Sequence, residues 1–379
     1  MRASKHLISL LFLAATTSCS TPETPAENQE TGLTGTPIHQ GKPAESDPTG
    51  DTEPEIETED SGSPEDTQSE PAAPSFEDCF ADTLGTSPGP DYGQFSPTLG
   101  HHCKGTNHQN IENIQRVVFL GDSVTVGTLP TPDSQFYRSV LAKKLAQQFG
   151  LKAPDWSWEA VNLFEGTTLV QESGDFASCA KWGARADDLL EDNDQLLDCF
   201  PAAKRHLNTL VILTVGGNDL SSITQGFIEG KSTADLWSQT QGFMTLVDEA
   251  VQWIKAENRF PNGVSVIFSN LYEFTDGTGD VTSCPVAELA GFGAAVDDPA
   301  LEEMVIWSME QFMRIAVETQ SDMLFLLESF CGHGFNHDDP NGRCYRGPNA
   351  ENWFDLTCIH PNPTGHQEIA QLFFEVVKE

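Results

Sequence analysis

The chain has 379 residues, more than one typical domain, with 57 acidic against 20 basic side chains and a formal net charge of -37. Sixteen of the carboxylates fall between Glu23 and Asp78, and three of the cations are Arg2, Lys5 and Lys42, so roughly 24 net negative charges remain on the rest. Such a surface argues against nucleic acid and other polyanions as partners, because gripping phosphates takes lysine and arginine.

Residues 1–19, MRASKHLISLLFLAATTSC, have the build of an export signal. Arg2 and Lys5 are followed by a nine-residue apolar run, Leu7–Ala15, too short to span a bilayer. The end resembles a bacterial lipoprotein signal, in which Cys19 would be lipidated after cleavage. Thr16 stands where leucine is usual, so ordinary cleavage nearby is the alternative. Residues 20–76 carry almost no large apolar side chain and read as a disordered acidic tether rich in Pro, Thr and Ser, since they cannot bury enough surface to offset ordering entropy. One domain is then expected over 77–379. Behind a lipid anchor, the tether would hold that domain off a membrane.

Cysteines stand at 19, 79, 103, 179, 199, 284, 331, 344 and 358. Without Cys19 an even eight remain, which in an exported chain predicts four disulfides. The sequence-near pairs Cys179–Cys199 and Cys344–Cys358 are two candidates among the many possible connectivities. No CxxC pair supports a structural zinc site.

From about residue 113 strand-like and helix-like runs alternate. RVVFLG, WEAVNLF, TLVILTVGG, VSVIFSNLY and MLFLLESF are short, apolar and suited to strands buried on both faces. Helical candidates are 135–149, with Leu141, Leu145 and Phe149 four apart, 300–319 with Met304, Trp307 and Ile315, and 363–378. This alternation predicts an α/β fold with a parallel sheet of about five strands. Functional loops in such sheets gather at the carboxyl ends of the strands.

Several motifs fall at those ends. VVFLGDSVTVG at 117–127 breaks from a buried strand onto Gly121-Asp122-Ser123, either a plain turn or a placed nucleophile with Asp122 fixing the turn. VGGNDL at 215–220 either turns the chain or lets the Asn218 amide donate to an oxyanion. In DLTCIHPNPTGH, Asn362-Pro363 looks like a helix cap and first position, which puts His360 in the preceding loop as a solvated side chain or a general base. In CAKWGARADDLL, Gly183 either opens an amphipathic helix or brings its N–H close to a substrate oxygen.

GDS after the first strand, a later glycine, GGND after a middle strand and HPN before the last helix together resemble the SGNH (GDSL-type) hydrolase family. The likeness covers roughly residues 113–379, the length of one domain. It implies a flavodoxin-like three-layer sandwich, Ser123 as nucleophile, His360 as base, and an oxyanion hole from the Ser123 and Gly183 N–H groups with the Asn218 side chain. The family usually has an aspartate three residues before the histidine, where this chain has Thr357. Asp355 is therefore expected to orient His360, with Thr357 or a backbone carbonyl as the alternatives.

Lipid esters and acetylated carbohydrates both fit an exported serine esterase of this kind. A surface protein that keeps the fold but binds without turnover is the rival reading. GTSPG at 85–89 matches a nucleophile elbow but has no strand before it. CGHGFNHDDPNG at 331–342 matches neither an EF-hand loop nor a zincin helix, and reads better as a substrate-facing loop closed by Cys331 and Cys344. No GxGxxG or P-loop is present, so no cofactor and no metal are expected. The chain is expected to act as a monomer, in contact with a membrane only through Cys19.

Overall fold

The computed structural model describes residues 105–379 apart from 191–193, 273, 285, 287–295 and 297. The candidate signal, Cys19, segment 20–76, GTSPG, Cys79 and Cys103 lie outside the described residues. In chain order the elements are β1 (Arg116–Gly121), α1 (Ser123–Val126), α2 (Tyr137–Phe149), α3 (Trp156–Glu159), β2 (Val161–Asn162), β3 (Thr167–Thr168), β4 (Glu172–Ser173), β5 (Phe176–Ser178) and α4 (Gln195–Cys199). They continue with β6 (Thr209–Thr214), α5 (Gly217–Ile228), α6 (Thr233–Lys255), β7 (Val264–Ser269), α7 (Pro299–Thr319), β8 (Asp322–Leu324), α8 (Leu326–Phe330) and α9 (Pro363–Val377).

Six strands form one sheet in the order β4-β5-β1-β6-β7-β8. The five from β5 to β8 are parallel, and β4 runs antiparallel at the edge. Successive strand residues point to opposite faces, so one sequence feeds two cores. Val118, Leu120, Val211 and Leu213 pack with Val247 and Val251 of α6 and Phe312 and Ala316 of α7. Val117, Phe119, Leu210 and Ile212 pack with Leu141 and Leu145 of α2 and Ile369 and Phe373 of α9. The result is a three-layer α/β sandwich. After β1 the chain first builds β5 on one side and then β6 on the other, so the crevice between the ends of β1 and β6 is the switch point where such sheets bind ligands.

Two expected strands are corrected. WEAVNLF is not in the sheet: Trp158 ends up in α3, and Val161–Asn162 pairs only with Thr167–Thr168. Trp158 is apolar for another reason, since it packs edge-on to Phe119 at 5.6 Å beneath the sheet. The strand in its place is the short Phe176–Ser178, defined by its parallel pairing with Val117–Phe119 rather than by any periodicity of its own. MLFLLESF is a strand only as far as Leu324. The Asn270 side chain accepts from the Leu326 and Leu327 N–H groups (2.6 and 3.1 Å) and starts α8 there.

The Cys179–Cys199 disulfide is present, whereas Cys344 pairs with Cys331 and Cys358 with Cys284. The expected Cys344–Cys358 pair is therefore overturned, because the loops that meet at the sheet end decide the pairing, not nearness in sequence. Among the described residues no helix is long and apolar enough to cross a membrane.

Candidate active site

Ser123 occupies the first position of α1, directly after β1. The Asp122 carboxylate caps that helix, accepting from the Val124 N–H at 2.9 Å and the Thr214 hydroxyl at 3.4 Å. Burial pushes Asp122 up to about 7. Gly121 permits this abrupt break: its φ is 122°, and a Cβ there would run into the Thr214 carbonyl of the adjacent strand. Beneath the turn Thr125 bonds Tyr137 at 2.5 Å and Thr214 at 2.6 Å, a buried hydroxyl network that ties α1 to α2 and β6.

His360 comes from the loop before α9. Its Nε2 lies 2.9 Å from the Ser123 Oγ, across 237 residues of sequence. An isolated bridge between Phe354 and Pro361 closes this loop, and the Asp355 N–H donates to the His360 carbonyl at 2.9 Å. Cys358, two residues before His360, has φ 69°, and its disulfide to Cys284 staples the loop to the segment that carries Val281. Asn362 caps α9 by accepting from the Gly365 N–H at 3.0 Å. His366 stands further back: its Nδ1 accepts from the Tyr137 N–H, and it joins α9 to α2.

Asp355 does not reach the imidazole. The Thr357 Oγ1 lies 3.0 Å from His360 Nδ1 and donates to Asp355 Oδ1 at 2.5 Å, while the Thr357 N–H donates to the same oxygen at 2.7 Å. Because the hydroxyl hydrogen goes to the carboxylate, the hydroxyl oxygen is left to accept from Nδ1–H. That places the imidazole lone pair on Nε2, toward Ser123. Burial pulls His360 down to about 4 and pushes Asp355 up, the Thr357 bonds opposing the latter. At neutral pH the imidazole is therefore an uncharged acceptor.

Asn218 lies in the first turn of α5, where Gly216 at φ 108° lets the chain leave β6. Its Nδ2 donates to the Ala184 carbonyl at 2.8 Å, which leaves a second amide hydrogen for a ligand. The segment 181–186 is irregular, with a single short helical turn following at Asp187–Leu189. It is laced between neighbours: Lys181 N–H to Gly121 O (3.0 Å), Trp182 Nε1–H to Gly127 O (2.9 Å), and Ala186 N–H to Asp219 Oδ2 (3.1 Å). Gly183 sits exposed within it, at φ 77°.

A cavity of about 530 Å³ opens on Ser123, Asn218 and His360; Gly183 is not among its lining residues. Leu220, Leu271, Phe274, Val281, Leu301 and Val305 supply apolar wall, and Arg343, Asp298 and Glu302 supply charge. The 331–342 stretch is closed by Cys331–Cys344, with His333 stacked on Trp353 at 3.4 Å and Asp276 accepting from three backbone N–H groups around it. No group of three or more potential metal ligands occurs among the described residues.

Sequence reasoning gives Asp219 no role beyond a turn, although it adjoins Asn218 in GGND. It also misses the hydroxyls of Thr125 and Thr214, because polar residues within strand-like and turn-like runs carry no signal of what they will face.

A family model described as GDSL-like Lipase/Acylhydrolase matches residues 117–373. Among solved structures, an extracellular lipase from Streptomyces rimosus is 17% identical, with 70% of this chain and 98% of that one covered at a TM-score of 0.40. An acetyl xylan esterase is 15% identical (69% and 99% covered, TM-score 0.39). A lipase from a goat rumen metagenome is 14% identical (69% and 96% covered, TM-score 0.41). A sequence comparison with curated proteins finds no match.

Proposed function

Since the chain belongs to the GDSL-like lipase/acylhydrolase family and is a carboxylic ester hydrolase, we propose that it cleaves esters of apolar acyl chains through Ser123. The observation that carries this reading is the 2.9 Å contact between Ser123 Oγ and a neutral His360 at the floor of a largely apolar cavity. Ser123 Oγ attacks the ester carbonyl as its proton passes to His360 Nε2. The carbonyl oxygen becomes an oxyanion held by the Asn218 amide and the Ser123 N–H, which as a first helical position has no intrahelical acceptor. Gly183 is the candidate third donor. The alkoxide leaves with the proton from His360. A water molecule then gives its proton to His360, attacks the acyl-enzyme and releases the acid as Ser123 recovers its proton.

The cavity favours a longer acyl chain over a bare acetyl group, since an acetyl methyl would leave most of its apolar wall against water. Each CH₂ buried contributes about 0.8 kcal/mol, or roughly fourfold in kcat/KM, until the space is filled. Along p-nitrophenyl acetate, butyrate, hexanoate and octanoate, kcat/KM should therefore climb at each step. A maximum at acetate would rule this reading out and favour acetylated carbohydrates. No turnover of any member would favour a binding protein that keeps the fold.

Export is a companion reading, supported by the three disulfides, since such bonds persist in oxidising compartments. Lipidation of Cys19 would add about 0.8 kcal/mol per buried CH₂. The full chain should then fractionate with membranes and Cys19→Ser should not. Identical partitioning of the two would dispose of the anchor.

A further inference from the structure

Asn218 and Asp219 are consecutive, yet they grip the same neighbouring segment from opposite chemical sides. The Asn218 amide donates to the Ala184 carbonyl at 2.8 Å, and the Asp219 carboxylate accepts from the Ala186 N–H at 3.1 Å. The two bonds close a clamp between the first turn of α5 and the strip that contains Gly183. Asp219 does not line the cavity. It is half-buried, and desolvation pushes its carboxyl up to about 6 against the pull of the Ala186 bond. A carboxylate kept beside the reactive crevice has a desolvation cost, which the Ala186 N–H and the nearby Arg185 cation partly offset.

We propose that Asp219 is a positioning residue for the oxyanion site: by fixing Ala186 it fixes the Ala184 carbonyl, and that carbonyl fixes which way the Asn218 amide faces. The torsion that turns an asparagine amide is broad and roughly two-fold, so backbone geometry alone leaves its NH₂ and carbonyl ends interchangeable. Ala184 O breaks the tie. With one N–H committed to that oxygen, the second is presented to the cavity and the amide carbonyl is turned away from a developing negative charge. If the 184–186 strip is freed, the amide samples orientations that present its oxygen to the oxyanion, and the loss appears in the transition state rather than in substrate binding. The same strip carries Gly183, so a second candidate donor moves with it.

This inference rests on the reading of Asn218 as an oxyanion donor, and the test separates the two. In the full-length protein with one p-nitrophenyl ester, Asn218→Ala should lower kcat by roughly 10²–10³. Asp219→Ala should lower kcat about 10- to 30-fold with KM within twofold, and should weaken inhibition by an alkyl boronic acid, a tetrahedral mimic, by the same factor. Asp219→Asn keeps an acceptor oxygen for Ala186 and should recover most of the loss, which a merely structural defect would not show. Ala186→Pro removes the donor from the other side, at a φ of -61° that proline adopts. It should reproduce the Asp219→Ala loss, and the double variant should be no worse than either single one. Ala186→Pro and the boronic acid decide the matter if Asp219→Ala fails to fold. A full effect of Asn218→Ala beside an unchanged kcat, or a change in KM alone, in Asp219→Ala overturns the clamp. An unaffected Asn218→Ala instead overturns the donor reading beneath it.

Discussion

Ser123→Ala should remove turnover almost completely, by on the order of 10⁶ in kcat, and leave the thermal unfolding transition where it was. The hydroxyl's partner is His360, and its loss leaves that imidazole facing a cavity water can enter, so no buried polar group is orphaned. The turn itself is held by other groups, namely the Asp122 cap and the Thr125–Thr214–Tyr137 hydroxyls, none of which touches Oγ. What survives should be the weak background from the oxyanion donors, roughly 10³–10⁴ over the uncatalysed reaction. Adding His360→Ala to Ser123→Ala should cost little more, because in the proposed mechanism the two residues act as a unit. The pH profile offers a second check. The base works only when neutral, and burial holds His360 at about 4, so the loss of kcat/KM due to His360 should come as pH drops through about 4. A folded Ser123→Ala protein with unchanged activity would remove this serine from the reaction.

Thr357→Val should lower kcat by roughly 10²–10³ and should cost more than Asp355→Asn. In the valine variant the imidazole Nδ1–H loses its acceptor in a buried loop. That penalty is about 1–3 kcal/mol, and the tautomer that keeps the lone pair on Nε2 is no longer enforced. When an aspartate bonds the imidazole directly, its conversion to asparagine costs about 10⁴ because the amide can donate and select the wrong tautomer. Here the Thr357 hydroxyl stands between them. In Asp355→Asn, an amide with its oxygen toward Thr357 still takes the hydroxyl hydrogen, so the direction of both bonds survives and only the carboxylate's charge is lost. That should cost on the order of 10–10². The two effects should not add, since each variant breaks the same chain, and a double-mutant cycle on one ester measures the coupling. A silent Thr357→Val would end the relay and leave a Ser-His pair. A loss near 10⁴ in Asp355→Asn with a mild Thr357→Val would mean that the carboxylate reaches the imidazole directly during turnover, about as it does in the directly bonded case.

Long, locally repetitive features are legible from the sequence. The apolar runs of β1, β6 and β7 and the four-residue spacing of Leu141, Leu145 and Phe149 follow from side-chain periodicity, which needs no partner to be read. The three motifs around Ser123, Asn218 and His360 are legible as a set because each sits where a strand ends or a helix begins, and turn and cap chemistry is local. Contacts whose two ends lie far apart in the chain are not. Phe176–Ser178 becomes a strand only by pairing with β1, Trp158 leaves the strand class by packing beneath Phe119, and Asn270 turns a strand-like run into α8 from 56 residues away. Cys358 takes Cys284 rather than the nearer Cys344 for the same reason. Which residues meet at the sheet end is thus decided by the folded chain, as with Ser123 and His360, 237 residues apart. That Thr357 stands between Asp355 and His360 follows only from the folded loop, since a one-residue change in how it turns back swaps a direct bond for a relayed one, and no spacing rule resolves a difference of about 3 Å.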